Sequence, residues 1–190
     1  VGEPSGVIRA FDAASGEFSW AFDSGRPDRQ GLPPEGQSFT RGSPNSWAPM
    51  SADEDLGIVY VPTGNATPDY FGGHRTENDD KFSSSVIALD AETGKVRWSF
   101  QTTHHDVWDY DVASQPVLID LPDGTRGLLQ PTKRGEVFFL DRETGTPIAE
   151  VKELPVPQAK IPGDWLSPTQ PFSVGMPSFE GPKPSEQDMW

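Results

Sequence analysis

Cysteine is absent from the 190 residues of this chain, which excludes disulfide bonds and any metal site built on thiolates. The absence leaves the compartment open, because proteins outside the cytoplasm need not contain disulfides. Basic residues are also few: 15 Lys and Arg stand against 29 Asp and Glu, for a formal net charge of −14. This balance argues against a nucleic-acid partner, whose phosphates require a basic surface.

Long apolar runs are missing as well. No stretch has the length that crosses a membrane, and no secretory signal opens the chain. Residues 6–11 already have the pattern of a strand, and the sequence stops without any terminator. We therefore expect an internal piece of a longer protein, so the missing targeting segment says nothing about where that protein is located.

Apolar residues make up only 34% of the chain, whereas Gly and Pro contribute 19 and 20 residues. Long helical patterns are absent, and such a composition is typical of a loop-rich all-β protein. Six Trp and eleven Phe are too many aromatic residues for a disordered chain. The sequence therefore predicts an all-β fold with a packed core.

A repeated unit organises the chain, with copies at residues 7–20, 86–98 and 137–149. Each copy is an apolar strand, a D-x-x-[ST]-G turn and a second strand that opens four residues after the glycine. The aspartate accepts backbone N–H bonds, and the glycine provides the positive φ of the reversal. The first two copies carry a Trp at this offset, which we expect to pack between neighbouring sheets. The third copy has Ala149 there, which indicates a different contact.

A repeated hairpin cannot bury both of its faces alone, so the repeat predicts stacked sheets of the β-propeller kind. The repeat aspartates lie 78 and 51 residues apart, and propeller blades have about 40 to 50 residues. We therefore expect an insertion at residues 67–82. Residues 1–154 are predicted to form two to three blades of an incomplete ring. Residues 155–190 are predicted to be an irregular excursion, because their prolines prevent a central strand.

Polar segments flank several of the predicted strands. Four of them stand out: residues 45–49 (NSWAP), 63–69 (TGNATPD), 104–111 (HHDVWDYD) and 131–135 (PTKRG). Loops at one end of successive propeller blades converge on the central axis, so groups far apart in sequence can face one ligand. The four segments are therefore candidates for a shared binding site.

Each segment also has a purely structural interpretation. Trp47 suits a core, Asn65 suits the left-handed position of a turn, and residues 133–135 suit an exposed turn before a strand. The tandem histidines can simply bond loop carbonyls. The acidic residues of 104–111 resemble a hard-cation site, but they lack the glycine and the later glutamate of an EF-hand loop. Taken singly, none of the segments identifies a function.

Together, the repeats and the polar segments resemble the quinoprotein dehydrogenases, eight-bladed β-propellers that use pyrroloquinoline quinone (PQQ). The similarity is greatest to the membrane-bound branch that oxidises glucose, quinate or shikimate. It extends over the whole chain, and its most specific signatures are SPNSWAP, TPDYFGG, HHDVWD, PTKRGEVFFLDR and SPTQPFS.

The resemblance implies roles for three residues at the cofactor. Trp47 is similar to the family tryptophan whose ring stacks on PQQ, and Asn45 is expected beside it at the cofactor. Lys133 is similar to the cation that bonds the quinone oxygens and stabilises the negative charge that arrives on reduction.

The resemblance also implies a metal ion and a base. Ca²⁺ or Mg²⁺ is expected with Asn65, Thr67 and Asp109 among its ligands; whether Asn65 or Thr67 coordinates the ion stays open. Asp109 matches the catalytic carboxylate that removes the proton of the substrate hydroxyl. His105 precedes it in the H-D-x-W-D run; it is counted with Asp109 among the catalytic residues and is expected to orient the loop.

The expected activity is PQQ-dependent oxidation of a sugar or polyol, foremost of glucose to gluconolactone, with electrons passed to ubiquinone. Its expected location is the periplasmic face of the bacterial inner membrane, with the membrane anchor outside this region. The 190 residues alone are expected to be inactive, because the remaining cofactor contacts would come from other blades.

Two alternatives remain. Quinate or shikimate would be oxidised with the same cofactor and base, and a carboxylated substrate would require a further cation such as Arg75 or Arg134. A non-catalytic propeller scaffold of the outer-membrane assembly type shares the repeat without any cofactor. The polar segments discriminate against the scaffold, which has no use for an Asp, Lys and Asn around one axis.

Overall fold

The computed structural model describes residues 3–179, 181 and 185, and it consists of antiparallel strands with one short helix in that part of the chain. In chain order the elements are β1 (Ile8–Phe11), β2 (Phe18–Phe22), β3 (Ser51–Asp53), β4 (Ile58–Pro62), α1 (Glu77–Phe82), β5 (Ser85–Asp90), β6 (Val96–Gln101), β7 (Val117–Asp120), β8 (Arg126–Pro131), β9 (Val137–Asp141), β10 (Val151–Pro155) and β11 (Thr169–Ser173).

The strands form four sheets, each from strands that are consecutive in the chain. Strands β1 and β2 make a hairpin, β3 to β6 a four-stranded meander, β7 to β9 a three-stranded meander, and β10 and β11 a second hairpin. Every strand pair is antiparallel. The predicted all-β fold is therefore confirmed.

The three D-x-x-[ST]-G turns have the geometry that the sequence predicts. In each turn one aspartate oxygen accepts the backbone N–H and the hydroxyl of the Ser or Thr three residues later, at 2.7 to 2.9 Å. The turn glycines, Gly16, Gly94 and Gly145, have φ values of 73°, 70° and 74°. The second strand of the third copy is absent, however: residues 146–149 form only an isolated bridge, between Pro147 and Leu140. Proline has no N–H with which to extend a ladder there.

The repeat tryptophans connect neighbouring sheets, as predicted. The Trp20 ring lies against Gly94 of the next copy, and its Nε1–H donates to the carbonyl of Ala91 at 2.9 Å. Trp98 has the same relation to the following turn: it lies against Gly145, and its Nε1–H donates to the carbonyl of Arg142 at 3.2 Å. Each indole thus joins one sheet to the turn of the next.

The four-stranded sheet is buried on both faces. Along β5, Val86 and Ala88 pack in one apolar cluster with residues of β8 and β9. Ile87 and Leu89 pack in the other, with residues of β2. Since successive side chains of a strand point to opposite faces, a strand between two sheets must be apolar at every position. This explains the unbroken run from Val86 to Leu89.

The insertion at residues 67–82 is more ordered than its polar composition suggests. It ends in α1, whose first turn is closed by a capping box between Thr76 and Asp79. The last residue of the helix, Phe82, is buried and packs edge-on against Phe22 of β2. The T-x-x-D spacing is a helix-start signal that could have identified this helix from the sequence.

The segment from residue 155 onward is not irregular throughout. Strand β11 includes Pro171, which pairs with Glu153 of β10. Within the described residues β11 has a strand partner on one side only, and such an edge is where a proline is tolerated in a sheet. The predicted irregular excursion is therefore wrong for residues 169–173. Residues 180, 182–184 and 186–190 of the same predicted segment lie outside the described residues.

No helix in the described part of the chain has the length and apolarity that a membrane crossing requires.

The contact between Trp20 and the Gly94 turn can be tested with two glycine substitutions. A Cβ at Gly94 would lie 2.5 Å from the Trp20 ring, whereas a Cβ at Gly16, with nearly the same φ, would meet nothing within 4 Å. We expect Gly16→Ala to lose about 1–2 kcal/mol from the left-handed backbone alone. Gly94→Ala should lose about 1–3 kcal/mol more through overpacking. Urea unfolding of both variants measures the difference, and equal losses would contradict the proposed contact.

Candidate active site

A cleft of about 570 Å³ lies where the polar segments meet. Its walls include five of the predicted site residues: Asn45, Trp47, Asn65, Thr67 and Asp109. They come from three loops, one before β3, one after β4 and one after β6. Because neighbouring strands are antiparallel, the start of one strand and the end of the next share an edge of the sheet. The meander therefore brings the three loops together, as the sequence predicts.

Lys133, in the turn between β8 and β9, brings the next sheet into the same site. Its Nζ lies 2.8 Å from Asp111 Oδ2 and 3.5 Å from Asp109 Oδ2, and it donates to the carbonyl of Asp109 at 2.8 Å. Burial alone would lower the pKa of Lys133, but the hydrogen bond and charge of Asp111, with the charge of Asp109, raise it. A positive charge is therefore held beside two carboxylates of the cleft wall at neutral pH.

Trp47 is not a core residue. Its side chain is 57% exposed, and it lines the cleft with the Lys133 ammonium 5.8 Å from the ring centroid. A large aromatic face left open beside a cation suits the stacking of a planar, electron-poor group. The structural alternative of a core position is therefore wrong for Trp47, and its role as a stacking platform stays a prediction.

The loop after β4 is tied to the loop after β6 from within the cleft. The backbone N–H of Asn65 donates to Asp111 Oδ1 at 2.5 Å. The side chain of Asn65 is fixed as well: its amide donates to the carbonyl of Asp69, and its oxygen accepts the N–H of Ala66. The amide oxygen of Asn65 is thereby held in one orientation at the cleft wall.

The cleft has an excess of negative charge. Burial raises the pKa of Asp69, and the charges of Asp109 and Asp111 raise it further. No group of three acidic or histidine side chains in the described ranges is close enough to hold a metal by itself. A hard cation would relieve the repulsion and would need uncharged oxygens, such as those of Asn65 and Thr67, beside Asp109. The donor types at the cleft wall therefore fit a hard cation.

His105 does not face the cleft. Its side chain is 1% exposed, with Nδ1 2.8 Å from Asp80 of α1 and Nε2 3.0 Å from Asp164. Its ring also stacks on Trp165 at 3.7 Å between centroids. Burial opposes ionisation of Asp164, but hydrogen bonds from His105 and from the N–H groups of Gly72 and Trp165 lower its pKa overall. The prediction that His105 belongs to the catalytic residues is therefore wrong. His105 anchors the loop after β6 to α1 and to residues 164–165.

Sequence reasoning did not assign three acidic residues of the cleft, Glu3, Asp69 and Asp111, to the site. Of these, Asp111 forms the short ion pair with Lys133. No local signal separates Asp109 from Asp111, because both lie in an irregular loop where strand alternation does not apply. Their contacts with residues distant in the chain show that both carboxylates belong to the site: Lys133 pairs with both, and the N–H of Asn65 donates to Asp111.

Comparison with known proteins places this architecture in a class. The family model described as "PQQ: Glucose/ethanol/alcohol dehydrogenase, beta-propeller domain" matches residues 1–190. The chain therefore belongs to the PQQ-dependent dehydrogenase family, and its sheets are blades of that β-propeller. Membership implies PQQ and a metal ion as the cofactors of the family.

Individual relatives are named for different substrates. The chain is 53% identical over 192 residues to the glycerol dehydrogenase large subunit of Gluconobacter oxydans (strain 621H), covering 98% of this chain and 26% of that protein. It is 47% identical over 198 residues to quinoprotein glucose dehydrogenase A of Acinetobacter calcoaceticus (99% and 24%). It is 45% identical over 191 residues to the quinate/shikimate dehydrogenase (quinone) of Acinetobacter baylyi (98% and 24%). The chain spans about a quarter of the length of these relatives.

A solved structure agrees with the fold. Quinohemoprotein alcohol dehydrogenase from Comamonas testosteroni superposes with a TM-score of 0.63 at 29% identity, over 90% of this chain and 28% of the other. The predicted quinoprotein propeller is therefore confirmed.

The anchoring role of His105 predicts a contrast between the tandem histidines. His105→Phe keeps a ring against Trp165 but leaves the carboxylates of Asp80 and Asp164 without their imidazole, so we expect a loss of about 2–4 kcal/mol. His104 is partly exposed and bonds the side chains of Gln101 and Glu153, so His104→Phe should cost about 1 kcal/mol or less. Urea unfolding measures both, and similar losses would refute the assignment.

Proposed function

We propose that the protein containing this chain oxidises a hydroxyl group of a polyol or sugar with PQQ as its redox cofactor. The observation that carries the proposal is the convergence of an open aromatic face, Trp47, a charged Lys133 and a carboxylate, Asp109, on one cleft. A platform, a cation and a base in one site are the groups that hydride removal from an alcohol to a bound quinone requires.

Trp47, Lys133 and Asn45 are the residues of this chain that would hold the cofactor. When bound, PQQ supplies an electrophilic quinone that accepts two electrons from the alcohol. Trp47 offers a rigid face for a flat ring system, which fixes orientation at low entropic cost. Lys133, held between Asp109 and Asp111, places a positive charge beside that face, where it stabilises negative charge developing on an oxygen.

Asp109 is the proposed base. Its side chain is 37% exposed, so a substrate hydroxyl can reach the carboxylate from the cleft. A positioned base of this kind contributes roughly 10²–10⁴-fold to a rate. The proton removed from the substrate hydroxyl goes to an oxygen of Asp109.

Ca²⁺ is the proposed ion, with Asn65, Thr67 and Asp109 as the ligands from this chain. The supporting observations are the repulsion among the cleft carboxylates and the fixed amide oxygen of Asn65. Amide, hydroxyl and carboxylate oxygens are the ligands of a hard cation that tolerates irregular geometry, which favours Ca²⁺ over Mg²⁺.

An uncharged substrate is favoured over quinate. The two arginines that were candidates for binding a carboxylate are engaged elsewhere. Arg75 donates to the backbone carbonyls of Ala66, Pro68 and Asp106. Arg134 pairs with Glu136 at 2.9 Å and is 10% exposed. Glucose therefore remains the leading sugar, and the glycerol dehydrogenase relative supports small polyols equally.

Ubiquinone is the proposed electron acceptor, and the periplasmic face of the inner membrane the proposed location. The quinate/shikimate dehydrogenase (quinone) of Acinetobacter baylyi is named for a quinone acceptor, which supports a quinone as the acceptor here. Family membership and the charged cleft both argue against the alternative of a non-catalytic scaffold.

A substrate panel on the whole protein tests the proposal. Glucose, glycerol and quinate are offered with a dye acceptor to apoprotein, to protein with PQQ alone, and to protein with PQQ and Ca²⁺. We expect turnover only with both cofactors, and faster turnover of a neutral substrate than of quinate. Turnover independent of PQQ would refute the proposed chemistry. Preference for quinate would refute only the substrate assignment.

Asp109→Asn tests the base. The amide keeps the size of the side chain but cannot take up the proton, so kcat should fall by about 10²–10⁴-fold. PQQ binding, followed by quenching of tryptophan fluorescence, should change little, because Trp47 and Lys133 are intact. Asp55→Asn, at a side chain that is 84% exposed and outside the cleft, is the matched control. An unchanged kcat in Asp109→Asn would exclude this residue as the base.

A further inference from the structure

The carboxylate of Asp106 is buried directly behind the residue assigned as the base. Asp106 is 0% exposed, and its two oxygens accept the backbone N–H groups of Trp108 at 2.9 Å and Tyr110 at 2.7 Å. These are the amides on either side of Asp109. One side chain therefore closes a five-residue loop with Asp109 near its tip.

The backbone of Asp109 is in a conformation that needs such support. Its φ is +64°, in the left-handed region that costs a non-glycine residue roughly 1 kcal/mol or more. A strained backbone of this kind persists only where surrounding contacts determine it. The hydrogen bonds of Asp106 to the N–H groups of Trp108 and Tyr110 provide such contacts here, together with the bond from Lys133 Nζ to the carbonyl of Asp109.

The strained turn separates Asp109 from its neighbours. Asp109 lines the cleft with Trp47, whereas Trp108 and Tyr110 line a different cavity, on the side of Arg134. A relaxed backbone at this position would redirect the carboxylate. The loop geometry therefore decides which cavity receives the base.

Asp106 itself is held by fixed parts of the fold. Its second oxygen also accepts the hydroxyl of Ser84 at 2.6 Å, immediately before β5. Its carbonyl accepts Nη1 of Arg75 at 2.5 Å, and Nη2 of the same guanidinium bonds the carbonyls of Ala66 and Pro68 at 3.0 Å. Ala66 and Pro68 flank Thr67 in the cleft wall. Asp106 thus ties the loop of the base to the segment that carries the proposed metal ligands.

We propose that Asp106 is a positioning residue of the oxidation: it touches neither substrate nor cofactor and acts by holding Asp109 toward the cleft. The proposal rests on the proposed function of Asp109 as base. It assigns a reaction role to a buried side chain whose polar contacts are otherwise those of an ordinary loop cap.

Asp106→Asn in the whole protein loaded with PQQ and Ca²⁺ is the direct test. The amide has the same volume, but its NH₂ group cannot accept, so at least one bond to the amides flanking Asp109 is lost. We expect kcat to fall about 10–100-fold, since a misplacement of about 1 Å can cost 10²-fold. KM and the PQQ affinity should change less than about threefold. An unchanged kcat overturns the proposal.

A matched control separates positioning from general loss of a loop cap. Asp141 makes the same kinds of bond, accepting the N–H groups of Glu143 and Thr144 and the Thr144 hydroxyl, in a turn outside the cleft. Asp141→Asn should leave kcat unchanged. A comparable fall in kcat in this control would overturn the specific role of Asp106.

A double variant shows whether Asp106 acts through Asp109. In the Asp109→Asn background, Asp106→Asn should produce no further fall in the residual turnover, because the base is already absent. Multiplicative losses overturn the proposal. If Asp109→Asn alone is fully active, the proposed function of Asp109 as base is wrong. If Asp109→Asn is inactive and Asp106→Asn is fully active, only the proposed role of Asp106 is wrong.

Ser84→Ala is the alternative test of the proposal if Asp106→Asn does not fold. It removes one hydrogen bond to Asp106 and leaves the loop residues untouched, so kcat should fall about 3–10-fold, the effect of one hydrogen bond. Amide hydrogen exchange of the segment 104–112 should be faster in the same variant. A normal kcat with faster exchange overturns the proposal, and so does a normal kcat with unchanged exchange.

Discussion

The packing of an indole onto the turn of the next repeat is the contact on which the rest of the structure depends. A single hairpin exposes one apolar face, and only a neighbouring sheet can cover it. Trp98 provides that cover: its ring lies on Gly145 and its N–H bonds the carbonyl of Arg142. The turn glycine is required twice, for its positive φ and for the space that the ring occupies. Stacking in this fixed register brings the loops of successive sheets to one edge.

The cleft at that edge is organised by charge. The chain carries a net charge of −14, and four carboxylates of the described residues line the cleft, those of Glu3, Asp69, Asp109 and Asp111, with the ammonium of Lys133 paired to the last two. Lys133 neutralises part of this charge and joins one sheet to the loop of another. Burial raises the pKa of Asp69, and the charges of Asp109 and Asp111 raise it further, a repulsion that a bound divalent cation would relieve.

The loop after β6 contains two kinds of residue: buried ones that anchor it and acidic ones that face the cleft. His105 and Asp106 are buried and bond outward to α1, to Ser84 and to Asp164. Asp109 and Asp111 face the cleft and the ammonium of Lys133. The loop is thus a rigid support for one carboxylate pair rather than a set of interchangeable acidic groups. Such rigidity is the property that a positioned base requires.

The sequence alone determined what depends on local chemistry. The three turns follow from Asp and Gly at fixed spacing, and the strands follow from short apolar runs between them. Motif resemblance identified Trp47, Asn65, Asp109 and Lys133 as site candidates, and the sheets bring them together.

Only the tertiary structure decided the positions of His105 and of strand β11. His105 is turned away from the site because its ring nitrogens bond Asp80 and Asp164, which lie 25 and 59 residues away in the chain. Strand β11 formed despite Pro171 because it pairs with β10 on one side and, within the described ranges, has no strand on the other side that would need the missing N–H. In both cases the deciding partner is distant in sequence, and local patterns contain no information about which distant groups the fold will bring within hydrogen-bonding reach.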